Sequence, residues 1–273
     1  MTARILLAWA ALLLPAPGPV DHGTSPGDIL PPLPEGRSWR LIWHDEFDGE
    51  SLDLTKWTPL GDGKRRDGYW DNTDVLVEDG RLRLRVRQQG RRVTSGAIST
   101  DGKFEHAFGY YVALCRMPVQ PGHWPAFWLM SHGAWSRKHT DGSGGAEIDV
   151  VEMPWRRDRV SLNIHWGGYV PSPTSFGETA AIPGGIESIR DYHAYGLHWS
   201  PDEYVFYIDG VEVWRTTGGG VSQVPEYINI TEEVGTCAGD IRSASLPDTF
   251  EVDYVRVYDI APADSVGPGT GGR

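Results

Sequence analysis

Three carboxylates fall within six residues of one apolar stretch: Glu147, Asp149 and Glu152 in AEIDVVEMPW (146–155). The remaining residues, Ile148, Val150, Val151 and Met153, suit a buried strand. Side chains on a strand alternate between faces. Glu147 and Asp149 therefore share one face, while strict alternation sends Glu152 into the core. An unpaired carboxylate there is costly. One extra residue, a β-bulge at Val150–Val151, returns Glu152 to the side of the other two and keeps both valines inside.

Such a cluster suits hydrolysis of a glycosidic bond. A retaining mechanism needs two carboxyl groups about 5 to 5.5 Å apart, one to attack and one to protonate the leaving oxygen. Their Cα atoms lie roughly 13 Å apart along a strand, so long glutamates at the ends and a short aspartate between them fit. Mutual repulsion raises the pKa of at least one member. Residue types alone leave open which glutamate attacks, and an exposed acidic edge strand is the competing reading.

The aromatic inventory favours a sugar. Of 12 tryptophans, Trp124, Trp128, Trp135, Trp155 and Trp166 surround the acids in sequence. Flat sugar faces stack on indoles while hydroxyls seek polar groups, here His123 and His165. No HxH or HExxH spacing accompanies His165, so a hydrogen-bonding role is expected of it rather than metal ligation.

These residues need a rigid scaffold. RLRLRVR (81–87) alternates strictly, YVFYIDGVEVWR (204–215) reads as a hairpin about Asp209–Gly210, and FEVDYVRVYDI (250–260) alternates again. Helical periodicity is missing. An all-β fold, a jelly-roll sandwich of two antiparallel sheets with a concave substrate cleft, is expected. The body spans 39–260. Before it, Arg4 and the apolar run Ile5–Leu14 read as a signal peptide over 1–20, implying a secreted protein, and 21–38 reads as a Pro/Gly-rich linker. Residues 261–273 read as a loose tail.

A net charge of −12 supplies no basic surface for nucleic acid or an anionic membrane. A polysaccharide is the expected partner, and a monomer the expected state. Export would permit a disulfide between Cys115 and Cys237; two separate thiols are the alternative.

An ordered set of motifs resembles glycoside hydrolase family 16: LIWHDEFDGESLDLTKW (41–57), VEDGRLRLR (77–85), SGAISTDGKFEHAFGYYVALCRMPVQPGHWPAFWLM (95–130), EIDVVE (147–152), NIHWGG (163–168), DYHAYGLHWSPDEYVFYIDGVEVWR (191–215) and VDYVRVY (252–258). The resemblance implies a retaining double displacement with Glu147 as nucleophile, Asp149 as assisting acid and Glu152 as general acid/base. It implies that Trp124 and Trp128 line the cleft, with Trp135 as a further platform and His165 and Trp166 near the acid/base. It calls for no cofactor in catalysis, and implies a structural Ca²⁺ held by Glu46, the Gly80 carbonyl and Asp253. The bulge resembles the laminarinase and agarase subgroup, and GHWPAFWLM most resembles β-1,3-glucanases. The expected activity is an endo-β-glycosidase on β-1,3-glucan, with a galactan hydrolase, a transglycosylase or a non-catalytic binding sandwich as alternatives. YINITEEVGT (227–236) departs from the laminarinase pattern: Thr231 and Glu233 are expected on the cleft face, where added acid would repel sulfated galactans.

Overall fold

The computed structural model describes residues 29–138, 141–154, 158–168 and 174–263. The segment expected to be a signal peptide, Trp155 and most of the expected tail lie outside them. The described residues form strands joined by loops and short 3₁₀ turns, with no α-helix. In chain order the strands are β1 (Arg37–Asp45), β2 (Thr58–Pro59), β3 (Gly63–Arg65), β4 (Gly68–Trp70), β5 (Val75–Glu78), β6 (Arg81–Gln89), β7 (Arg92–Ser95), β8 (Ala97–Ser99), β9 (Glu105–His106) and β10 (Gly109–Arg116). They continue as β11 (His123–Met130), β12 (Glu147–Glu152), β13 (Arg159–Trp166), β14 (Thr174–Ala181), β15 (His193–Trp199), β16 (Tyr204–Ile208), β17 (Val211–Thr216), β18 (Glu226–Val234) and β19 (Asp248–Pro262).

Two sheets result. One has 11 strands along the path β17-β16-β15-β10-β19-β6-β7-β4-β3, with β1 on β19 and β5 on β6. The other has 8, ordered β14-β13-β12-β11-β18-β8-β2, with β9 on β18. Pairing is antiparallel except between β4 and β7, which run parallel. This is the expected sandwich.

The alternating runs behave as their patterns require. Leu82, Leu84 and Val86 of β6 are fully buried, and Leu82 and Leu84 share one core with Phe127, Leu129, Ile148 and Ile164 from the opposite sheet. The arginines between them stay at the surface and pair with Glu78, Asp79, Asp74 and Glu251. The hairpin closes at Asp209 (φ 51°) and Gly210 (φ 77°), two successive left-handed residues as its tight turn demands.

Both ends of the body reach further than expected. Strand β1 begins at Arg37 and β19 continues to Pro262, where the two pair with each other. The preceding stretch is no free linker from Ile29 onward. Leu30 and Leu33 pack on a second apolar cluster around Trp39, Tyr110 and Tyr258. The Trp39 indole donates to the Pro31 carbonyl at 2.8 Å. Apolar Ile29, Leu30 and Leu33 among the prolines explain the difference: they cover the outer face of a sheet that would otherwise expose aromatic rings.

Cys115 is buried and Cys237 exposed, and both are free thiols.

Candidate active site

The acids sit on β12, and the bulge is where the pattern puts it. Against β11, Val151 lies opposite Phe127 and Asp149 opposite Trp128, leaving Val150 as the extra residue. Against β13, Asp149 faces Asn163 and Glu152 faces Ser161, so two valines oppose one residue. Val150 and Val151 are both buried in the core. Glu147, Asp149 and Glu152 all line one cleft on the outer face of the 8-stranded sheet.

Neighbouring strands complete the floor by alternation. On β11, Trp124, Ala126, Trp128 and Met130 face the cleft, while Phe127 and Leu129 face the core. On β18, Tyr227, Asn229, Thr231 and Glu233 face the cleft. Trp135, from a 3₁₀ turn after β11, stands 60% exposed at the cleft wall, open enough to serve as a platform.

Hydrogen bonds divide the acids into two groups. The Trp124 indole donates to Glu152 Oε1 at 2.7 Å and the Asn163 amide donates to Oε2 at 2.8 Å. His165 belongs to the other end. It pairs across the ladder with Glu147, and its Nε2 lies 3.1 Å from Asp149 Oδ2 and 3.9 Å from Glu147 Oε1. The expectation that His165 lies near the acid/base is therefore corrected: antiparallel pairing sets it against the start of β12, and Asn163 touches Glu152 instead. Trp166 is also displaced from expectation. Its ring packs on the core and against Gly219 rather than lining the cleft. His123 points away too, fully buried beneath the floor beside Glu232.

Electrostatics follow from this geometry. Burial, then the charges of Glu152 and Glu147, push the Asp149 carboxyl well above the ordinary range; His165 pulls it only partly back. Burial depresses the His165 pKa, but the bond and charge of Asp149, with Glu147 and Glu152, outweigh it and lift it to about 9. Asp149 and His165 thus form a proton-holding pair between the glutamates.

Glu233 faces the cleft as expected, but its charge is not bare. Arg65 Nε donates to Oε1 at 2.6 Å and Arg66 Nε donates to Oε2. Paired with two guanidinium groups, Glu233 presents no bare charge to a sulfated chain. These arginines come from the β3–β4 hairpin, which brings Arg65, Arg66 and Trp70 to the cleft wall. No local pattern in GKRRDGYW signals that placement. Asn163 was within reach of the alternation rule, since it shares a face with His165 two residues on. Asn229 is a further polar group there; its buried Nδ2 makes no hydrogen bond among the described residues.

Both carboxylates expected to hold calcium beside the Gly80 carbonyl are engaged otherwise. Glu46 accepts from Arg256 through both oxygens and lies 3.0 Å from His44. Asp253 accepts from Arg81 at 3.2 Å. Ca²⁺ takes six to eight oxygens and tolerates no guanidinium among them, so this arrangement does not fit the ion.

Comparison with known proteins agrees with the geometry. The model of glycosyl hydrolases family 16 matches residues 63–256. A glucan endo-1,3-beta-glucosidase A1 of Niallia circulans is 29% identical over 80% of this chain and 37% of its own length. A keratan-sulfate endo-1,4-beta-galactosidase of Sphingobacterium multivorum is 28% identical over 81% of the chain and 56% of its own. The chain thus spans only about a third to a half of these relatives. An endo-beta-1,3-glucanase structure from Pyrococcus furiosus superposes with a TM-score of 0.69 at 26% identity, covering 84% of this chain and 97% of that one. With the family pattern matched across most of the sandwich and its acids gathered on one bulged strand, this chain belongs to glycosyl hydrolases family 16.

Proposed function

We propose that the protein is a secreted, monomeric, retaining endo-β-glycosidase that cleaves a polysaccharide, with β-1,3-glucan as its first substrate. The reading is carried by the bulge that holds Glu147, Asp149 and Glu152 on one cleft face. Glu147 attacks the anomeric carbon as carboxylate, and Glu152 protonates the leaving oxygen. A covalent glycosyl-enzyme forms, and Glu152 then takes a proton from the incoming water. Asn163 can follow Glu152 through both states, because amide rotation offers either a donor or an acceptor. Trp124 orients Glu152 from the other side. The Asp149–His165 pair sets the field at Glu147 without entering the bond changes. Structural calcium has no support from the donor set described above.

The relatives named as β-1,3-glucanases support the glucan reading. A galactan backbone is the second reading, favoured by the keratan-sulfate galactosidase relative and by the arginines in the cleft wall. Incubation with laminarin, lichenan, agarose, carrageenan and xyloglucan, followed by product sizing, separates these. Short oligosaccharides from laminarin are expected; cleavage of agarose or carrageenan alone moves the substrate to galactans. With an added sugar acceptor, product lengthening would identify transglycosylation.

A further inference from the structure

The β3–β4 hairpin sets two guanidinium groups side by side in the cleft wall, with one carboxylate between them. Arg65 and Arg66 both bond Glu233 through Nε, in a chain whose net charge is −12. Glu233 is almost fully buried on β18, so it fixes both arginines from below. Arg65 lies over the Trp70 ring, its Cζ at 4.9 Å from the centroid. Arg66 lies over the Trp124 ring at 4.1 Å.

Arg66 is the better poised of the two. Its side chain remains 44% exposed, and its terminal nitrogens form no hydrogen bond among the described residues. One edge is pinned by Glu233 and one face by an indole, so its fork is held in place before any ligand arrives. Burial, then the charge of Arg65, lower its pKa against the opposing pull of Cys237, Glu152 and Glu147. The same indole that carries Arg66 donates to Glu152, which places the fork one ring away from the acid/base.

We propose that Arg65 and Arg66 form an anion-accepting subsite beside Glu152, which takes a sulfate ester or a carboxylate carried on a sugar of the polysaccharide. The proposal rests on the glycosidase reading above and adds to it a preference, on whichever backbone is cleaved, for chains with acidic substituents. A planar guanidinium matches either anion through two parallel hydrogen bonds. Hydroxyls of a neutral sugar also accept from it, but an anion makes the shorter, stronger charge-assisted pair. Glu233 then acts as the positioning residue that keeps both forks aimed.

The test uses oligosaccharides from laminarin in neutral, carboxymethylated and sulfated forms, with binding to the full chain measured by titration calorimetry and cleavage followed in parallel. At low salt at least one charged form binds about tenfold tighter than the neutral one. That advantage shrinks at high salt and is erased by Arg66→Met. The ratio of charged to neutral binding is the readout, so a general loss of affinity in the variant cancels. Arg66→Lys, which keeps the charge and loses the fork, retains only part of the advantage. Whether sulfate or carboxylate shows it identifies the anion. Equal or weaker binding of both charged forms by the wild type, or an unchanged ratio in Arg66→Met, overturns the proposal. Should Arg66→Met fail to fold, the wild-type ratio and its salt dependence decide alone. Absence of cleavage of any glycan removes the hydrolase reading, while the binding ratio still judges the subsite.

Discussion

Strands β12 and β18 flank β11 and carry three acids each, yet they handle them in opposite ways. Strand β18 pairs with β11 in unbroken register, so its residues alternate strictly. Adjacent Glu232 and Glu233 must then point to opposite faces. Glu233 reaches the cleft, whereas Glu232 is driven under the floor with Glu226, and both are fully buried. Each needs a local remedy. Glu232 lies 3.2 Å from His123 Nδ1 and accepts from the Trp124 amide. Glu226 is kept neutral by burial, which pushes it up to about 8 against the weaker pull of Ser222 and the Ala146 N–H. Strand β12 spends one extra residue and brings all three acids to the cleft face, with Asp149 the most buried of them. The partners differ as well. Glu152 is held by two neutral donors, so its charge can change during a reaction; Glu233 is held by two cations, so its charge is fixed. Identical side-chain chemistry becomes reactive or structural according to register and partners.

The largest effects should fall on β12. Glu147→Gln and Glu152→Gln should each lower kcat by about 10² to 10⁴-fold, measured as reducing-end release from laminarin. Glu233→Gln should act mainly on KM and spare most of kcat. A Glu233→Gln enzyme as slow as Glu152→Gln would erase the distinction between the strands.

The next contrast is one of stability. Glu226 has a folded pKa of about 8, above the 4.5 of an ordinary glutamate. Its contribution is fully present below pH 4.5, declines as pH rises, and is lost through about pH 8. At about 1.4 kcal/mol per unit, the cost at alkaline pH is on the order of a few kcal/mol. Glutamine keeps the acceptor for the Ala146 N–H and cannot ionise. Glu226→Gln should match the wild-type Tm near pH 5 and exceed it near pH 9. His165 gives a slope of the same sign: its pKa is raised to about 9, so its stabilisation is whole below its ordinary 6.5 and lost above about 9. An Asp149→Asn variant should flatten that part of the curve while leaving the Glu226 part in place. Parallel Tm curves for wild type and Glu226→Gln would show that this carboxyl is already solvated.

How far the sequence reached follows the same division. Local pattern was enough for β6, for the hairpin at Asp209–Gly210 and for the β12 bulge, because each is decided by spacing of two and by the cost of burying a charge. It was enough for the cleft side of β11 and for Thr231 and Glu233 on β18. It did not disclose what crosses from one segment to another. The arginines that neutralise Glu233 arrive on a hairpin some 170 residues earlier in the chain. The placing of His165 beside Glu147 required the β12–β13 register, and the turning of Trp166 onto Gly219 required the loop after β17. His123 reads as a cleft residue until its partners are known; Glu232 and Asp248, on its two ring nitrogens, explain a histidine in that core.

Trp124 offers the smallest and most discriminating change, because it touches both kinds of acid. Its backbone N–H bonds Glu232, its indole N–H bonds Glu152, and its ring carries Arg66. Trp124→Phe keeps the backbone bond and a ring but deletes the donor to Glu152. A hydrogen bond to a charged group contributes about 1.5 to 3 kcal/mol, so kcat should fall roughly ten- to a hundredfold. The donor that is lost is one of the two that orient Glu152, so the loss should fall on kcat. Laminarin KM should change little by comparison, since an aromatic face remains. A kcat left at the wild-type level with KM raised would assign Trp124 to substrate stacking alone, and the indole bond to Glu152 would then matter for shape rather than for the reaction.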